Sequence, residues 1–263
     1  MSTDIFAYDS HVHTIYSGHS HDDVTVDAIH QKQREVGLSR IAITEHIFVP
    51  KDIKRIQKIA EELPDDPNVV LGAEIDADAS RLDGTLVSPT DGLDWVIASF
   101  HKFPGTDIWW HDGSFRESKD EQTIYAKWLE WVHKTISTAR PNALAHPGAL
   151  ISQLSMVQAF EGPVLDDFRE IMESCREYQV AVELNEGMSN KTNPQQRATY
   201  YRLFELAKQA GVKIVLGSDA HSLAQIGRYV FVKEIAEKVG LQMSDCIVPE
   251  REIQDYTGAL AKI

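Results

Sequence analysis

Two histidines one residue apart, His11 and His13, close an apolar run that begins at Ile5. In a strand that spacing sets both imidazoles on one face, where they can share a metal ion. The spacing recurs near the other end of the chain, where Asp219 and His221 stand in Gly217-Ser218-Asp219-Ala220-His221. Between them lie His46 in Thr44-Glu45-His46, Glu74 in Gly72-Ala73-Glu74, His101 in Ser99-Phe100-His101 and His146 in Ala145-His146-Pro147-Gly148. Each of these ends or follows a short apolar run, and His19 sits in the loop after the first. Imidazole mixed with carboxylate suits zinc, manganese or iron rather than calcium or magnesium alone. The other four of the 11 histidines read as ordinary residues. His30 and His133 fall on helical patterns, His111 has no strand-end carboxylate beside it, and His21 belongs to an acidic, solvated loop.

Such convergence needs elements that deliver every candidate to one end of a sheet. Strands are expected over Ile5–Val12, Arg40–Thr44, Val69–Ile75, Trp95–Ser99, Ala143–Ala145, Val180–Leu184 and Lys213–Leu216. Helices are expected over Val26–Val36, closed by Gly37, over Ile53–Leu63, stopped by Pro64, and over Lys119–Thr138. Further helices follow over Leu165–Tyr178 and Pro194–Ala210, closed by Gly211, and a last one begins near Leu223. The stretch between the third and fourth strands reads as loop. Seven strand-then-helix units without a linker predict one domain over residues 1–263 with a parallel sheet, which closes into a barrel to leave no edge. An open doubly wound sheet is the alternative, and no glycine-rich phosphate loop follows the first strand to support it. The candidate ligands then stand at the carboxyl-terminal ends of the strands, where parallel barrels build their active sites.

Composition narrows the partners. With 40 acidic and 26 basic residues the net charge is −14, and no basic run offsets it. Such a surface repels nucleic-acid phosphates, so a nucleic acid is an unlikely partner unless metal ions supply positive charge locally. Two cysteines give neither a disulfide framework nor a thiolate site. No apolar stretch is long enough to span a membrane, and Met1–Tyr8 carries no secretory pattern, so the cytoplasm is the expected compartment.

Taken together, His11-Val-His13-Thr-Ile-Tyr-Ser-Gly-His19, Thr44-Glu45-His46, Gly72-Ala73-Glu74, Phe100-His101, His146-Pro147-Gly148 and Gly217-Ser218-Asp219-Ala220-His221 resemble the PHP (polymerase and histidinol phosphatase) family. The match runs from residue 9 to about residue 228, and it is the ordered set that is specific. The resemblance implies a distorted (β/α)7, TIM-like barrel with three divalent ions. One ion would be held by His11, His13, Glu74 and Asp219, and a second by Glu74 as a bridge with His101 and His146. The third would take His19, His46 and His221. Asp9 and Glu45 are then expected to stand behind the ligands, where a carboxylate orients an imidazole and raises its basicity. For Glu45 a solvated loop acid is an equal alternative.

Three divalent ions against seven neutral imidazoles and two carboxylates leave a formal charge of about +4. That charge suits an anionic substrate, and a phosphoryl group can offer three oxygens to three ions. The expected reaction is attack of a metal-bridging hydroxide on a phosphomonoester, with Asp219 also able to accept a proton. A compact single domain of this length resembles the stand-alone histidinol-phosphate phosphatases and their small-molecule relatives, which makes histidinol phosphate a candidate substrate. Those phosphatases tend to carry an arginine after the sixth strand, whereas Lys191 and then Arg197 stand here as the candidate phosphate-binding cations. Lysine offers a point charge without the bidentate fork of arginine. Trp109 and Trp110, in the loop after the fourth strand, either wall a substrate ring or pack as a lid on their own loop, the second being the expectation. Competing readings are a phosphodiesterase or 3'-5' exonuclease-like nuclease, an amidohydrolase (which would bridge its ions with a lysine) and a non-catalytic metal-binding module.

Overall fold

The computed structural model describes residues 4–112, 120–253 and 255–260. Seven parallel strands lie side by side in chain order: β1 (Tyr8–Val12), β2 (Arg40–Ile47), β3 (Val69–Asp76), β4 (Trp95–Ser99), β5 (Ala143–Leu144), β6 (Ala181–Asn185) and β7 (Ile214–Gly217). The sheet curls until its edges meet. At that seam β1 pairs with the turn beyond β7 through a parallel bridge between Val12 and Ala220. Ala220 N–H donates to the His11 carbonyl at 3.3 Å and His13 N–H to the Ala220 carbonyl at 3.0 Å, and Asp219 N–H also donates to the His11 carbonyl at 2.9 Å. The result is a nearly closed, distorted (β/α)7 barrel.

Side-chain alternation fixes what faces inward. One inner face of β3 reads Val70, Gly72, Glu74, Asp76, and that of β4 and its extension reads Trp95, Ile97, Ser99, His101. Val70, Trp95 and Ile97 pack with Ala42, Ala143, Ala181 and Val215 into a small apolar plug. Along each inward face apolar residues therefore give way to polar ones toward the carboxyl-terminal end. The barrel is dry at one end and chemically equipped at the other.

Helices cover the outside: α1 (Val26–Val36), α2 (Ile53–Glu62), α3 (Glu121–Thr138), α4 (Pro163–Tyr178), the short α5 (Met188–Lys191) and α6 (Pro194–Thr199), α7 (Tyr201–Ala210), α8 (Phe231–Val239) and α9 (Tyr256–Leu260). The ends of α1 follow from sequence: the Thr25 hydroxyl accepts from Ala28 N–H, and Gly37 turns left-handed at φ 76°. Lys119, the expected start of the third helix, lies outside the described residues.

Three expectations are corrected. The helix foreseen over Pro194–Ala210 is two, because Tyr200 bonds back only three residues to Arg197 while its buried hydroxyl donates to the Pro147 carbonyl. The last helix near this region begins at Phe231 rather than near Leu223. Residues 223–230 instead form a turn through Gly227 at φ 65°, whose N–H donates to Asp9. Finally, β2 runs on to Ile47, so Glu45 and His46 lie within the strand and not beyond it. None of the described helices is long and apolar enough to cross a membrane.

Candidate metal centre

The strands deliver the expected ligands to one place. His11 Nε2 and His13 Nε2 lie 2.9 Å apart. The Oε2 atom of Glu74 is 3.3 Å from His11 Nε2 and 3.6 Å from His13 Nε2, while Asp219 Oδ1 is 3.2 Å from His13 Nε2. The other oxygen of Glu74 faces a different pair: Oε1 lies 2.9 Å from His146 Nε2 and 3.5 Å from His101 Nε2. A third meeting brings His19 Nε2 to 2.9 Å from His221 Nε2. His46 is shared. Its Nδ1 stands 2.7 Å from Glu74 Oε2, and a ligand atom of its ring groups closely with His13 and His221 as well as with Glu74 and His101.

Proton counting tests whether cations fit here. His11 Nδ1 lies 2.7 Å from Glu183 Oε1, His101 Nδ1 2.6 Å from Asp76 Oδ1 and His221 Nδ1 2.9 Å from the Asp219 carbonyl. Carboxylates and carbonyls only accept, so each of these nitrogens spends the ring's one proton outward. Their Nε2 lone pairs then point inward at other acceptors. Around Glu74 Oε2, the lone pairs of His11, Glu74, Asp219 and His13 share at most the single proton of His13. The His46 Nδ1 approach to Glu74 has no hydrogen-bond geometry, and that buried nitrogen is left without a partner. Acceptors crowded at these distances, short of protons, fit a site for cations.

The surrounding acids draw positive charge into the centre, which bound cations would supply in place of ring protons. Burial opposes charge on His11, but Glu183, Glu74 and Asp219 outweigh it and hold the imidazole well above its usual pKa. Burial likewise works against the Glu74 carboxylate, yet His11, His46 and His101 hold it well below the ordinary range. Backbone strain falls on two candidate ligands, since His146 has φ 28° and Asp219 φ 56°. Such conformations persist where the surroundings over-determine them, often at functional sites. Gly217 is required for a different reason: a Cβ there would stand 2.0 Å from Glu183 Oε1.

Glu183 and Asp76 were not anticipated, although the sequence carried their signal. Asp76 is two residues from Glu74 on the same strand face. Glu183 is a lone carboxylate in an apolar strand, on the face shared with the inward Ala181. Its second oxygen also accepts from His146 N–H at 2.7 Å, so one side chain braces two candidate ligands.

The expected supports divide. Glu45 is buried and accepts from Thr14 N–H at 2.9 Å, the Thr14 hydroxyl at 2.6 Å and His46 N–H at 2.8 Å, with His13 Nδ1 at 3.5 Å. It is no solvated loop acid. Asp9 accepts from the main-chain N–H groups of Ser218 at 3.0 Å, Gly227 at 2.9 Å and His11 at 3.3 Å. It ties β1 to the turn beyond β7 rather than orienting a ring.

An open cavity of about 660 Å³ lies over the centre, lined by His19, His46, His101 and His221 below and by Phe48, Trp109 and Trp110 at the side. Lys191 also lines it, with Nζ 2.6 Å from Asp219 Oδ2. Arg197 does not: it is exposed on α6 and its guanidinium donates to the Thr192 carbonyl at 3.4 Å. Asp219, meanwhile, is held well below the usual range, burial being outweighed by Lys191 and by His11 and His13, so it is a weak proton acceptor. His111, set aside in the sequence, lines the cavity. His30 and His133 lie elsewhere, against Asp66 at 3.0 Å and Ser174 at 2.8 Å.

The sequence model for the PHP domain matches residues 9–187, well over half of the chain. The chain belongs to the PHP domain family. Among curated relatives of this PHP protein, probable phosphatases of Aliivibrio fischeri and Vibrio campbellii are each 26% identical, covering 91% of this chain and 87% of theirs. Among solved structures, the histidinol phosphate phosphatase of Lactococcus lactis, complexed with zinc, L-histidinol and phosphate, superposes with a TM-score of 0.62 at 19% identity. That alignment covers 89% of this chain and 94% of the other, and it establishes a shared fold.

Proposed function

We propose that this PHP protein is a metal-dependent phosphomonoesterase acting on a small-molecule phosphate ester. The observation that carries the reading is Glu74, whose two oxygens face different sets of imidazoles, as a carboxylate joining two ions would. His11, His13, Glu74 and Asp219 would hold one ion, and Glu74, His101 and His146 a second. His19 and His221 with His46 would hold a third, His46 also leaning on the first through Glu74. When bound, zinc, manganese or iron ions polarise phosphoryl oxygens and make water a nucleophile at neutral pH.

The chain's own residues do the rest. Glu183, Asp76 and the Asp219 carbonyl accept the Nδ1 protons of three imidazoles and so turn each Nε2 toward the cation it would hold. Lys191 is kept protonated, since its pairing with Asp219 outweighs its burial, and it presents an ammonium on the cavity wall for a phosphoryl oxygen. Asp219 serves as ligand and as anchor for that ammonium rather than as a base. The names of the relatives, probable phosphatases and a histidinol phosphate phosphatase, support the same reaction class, and histidinol phosphate is one candidate substrate. The net charge of −14 supports a small molecule over a nucleic acid.

The test is to strip the protein of metal, reload it with zinc, manganese or iron, and offer phosphomonoesters, a phosphodiester and single-stranded DNA. Metal-dependent turnover of monoesters is expected. Cleavage of the diester or of DNA without monoester turnover would overturn the reading.

A further inference from the structure

The cavity above the centre has walls that the phosphoryl group does not use. Phe48 stacks on His46 with ring centroids 4.3 Å apart at 26°, and Trp109 meets Phe48 edge to face at 4.8 Å and 88°. Each ring is held by local structure. Asp52 accepts from the N–H groups of Phe48 and Val49 at 3.1 and 3.2 Å, which fixes the turn after β2. The loop after β4 folds back as a small hairpin, with Trp110 N–H donating to the His101 carbonyl at 2.9 Å and Phe103 N–H to the Ile108 carbonyl at 2.9 Å. The tryptophans pack on their own loop, against His111 with ring centroids 5.7 and 5.5 Å away, and Trp109 also reaches across to Phe48. They are a fixed aromatic wall beside a candidate ligand.

Charge decides what the wall accepts. Among the described residues, the charged side chains lining the cavity besides histidines are Lys191 and Asp219, and these are paired with each other. No lining carboxylate is left to receive an amine. Nor are the indoles open to a cation: Lys102 Nζ lies 5.5 Å from the Trp109 ring centre and Lys191 Nζ 5.9 Å from that of Trp110. Each already has an ammonium within cation–π range, and a third positive charge would be repelled.

We infer that the alcohol released by this enzyme carries a planar, uncharged ring that packs against Phe48, Trp109 and Trp110. The inference rests on the phosphomonoesterase reading and names its substrate class. It places an amine-bearing alcohol such as histidinol behind a neutral aromatic one.

The test holds the leaving alkoxide nearly constant and varies what hangs from it. Metal-loaded protein is given phenethyl phosphate, cyclohexylethyl phosphate and phosphoethanolamine. We expect kcat/KM for the phenethyl ester to exceed that for the cyclohexyl ester by roughly five- to tenfold, and that for phosphoethanolamine by more. Trp109→Ala should bring the phenethyl to cyclohexyl ratio close to one, while Trp109→Phe retains most of it. Phe48→Leu gives an independent arm should the tryptophan variant fold poorly. Calorimetric titration with the non-hydrolysable phenethyl and aminoethyl phosphonates should show the same order. Equal treatment of the two rings by the unaltered protein, or preference for the amine, would overturn the inference. Absence of turnover for every monoester would instead defeat the phosphomonoesterase reading, with the phosphonate order still reporting on the wall.

Discussion

The two sides of the histidine centre are built differently. His11 and Glu74 lie on strands, His13 directly follows β1, and His11, Glu74 and His13 are essentially sealed from solvent, at 0%, 1% and 0% exposure respectively. His19 is exposed in a loop, and the His221 side chain, in the turn beyond β7, is 26% exposed. The inner rings also have carboxylates hydrogen-bonded behind them, Glu183 for His11 and Asp76 for His101, whereas His221 Nδ1 bonds to a main-chain carbonyl, with the Asp219 carboxylate farther off at 3.8 Å. A ligand on a strand is aimed by the register of the sheet, and one on a loop by whatever bonds the loop can make. The inner side should therefore bind ions tightly and in fixed geometry, and the outer side should exchange them.

Glu74→Ala attacks the inner side at its hinge and should have the largest effect. It should remove about two of about three metal equivalents and lower kcat/KM by on the order of 10³-fold. Full metal content by elemental analysis would show that Glu74 is not shared. Glu183→Gln keeps the shape but replaces a carboxylate acceptor of His11 with an amide, and should cost roughly 10- to 100-fold in metal affinity or activity. A variant that binds metal as the parent does would mean that strand register alone aims the ring.

His221→Ala should empty the outer position alone, leaving about two metal equivalents. Graded chelation of the unaltered protein should likewise release one ion before the others. Release of all the ions together would erase the contrast between the two sides. Glu186→Ala should have the smallest effect. Glu186 accepts three N–H groups at the start of α8, from Val230, Phe231 and Val232, each at 3.0 Å. Its loss should destabilise the fold by about 1 kcal/mol in denaturant unfolding, without altering metal content.

The inner side was also the more legible. Period-two alternation places His11 and His13 on one face from spacing alone, and Glu74 falls near the end of an apolar run that reads as a strand. The supports were harder, because a buried carboxylate such as Glu183 looks like a strand-breaking anomaly until its partner across the barrel is known. Arg197 misled because a helical cation near a site carries no information about which way it turns. Its helix ends at Thr199, and the guanidinium points to a neighbouring carbonyl. The stretch before α8 misled for the same reason in reverse: its apolar residues suit a helix, but Gly227 is drawn into a turn by Asp9, more than two hundred residues away in sequence.

That long reach bears on how the molecule comes into being. His11 and His13 precede Asp219 and His221 by some two hundred residues, and the seam that joins them is also the place where the barrel shuts. A nascent chain can form most of its strand pairs while the centre is still in two halves. Completing the ring and assembling the centre are thus one late event of high contact order. An ion bound across the seam would clasp the two edges of the sheet together, so metal should slow unfolding as well as raise stability.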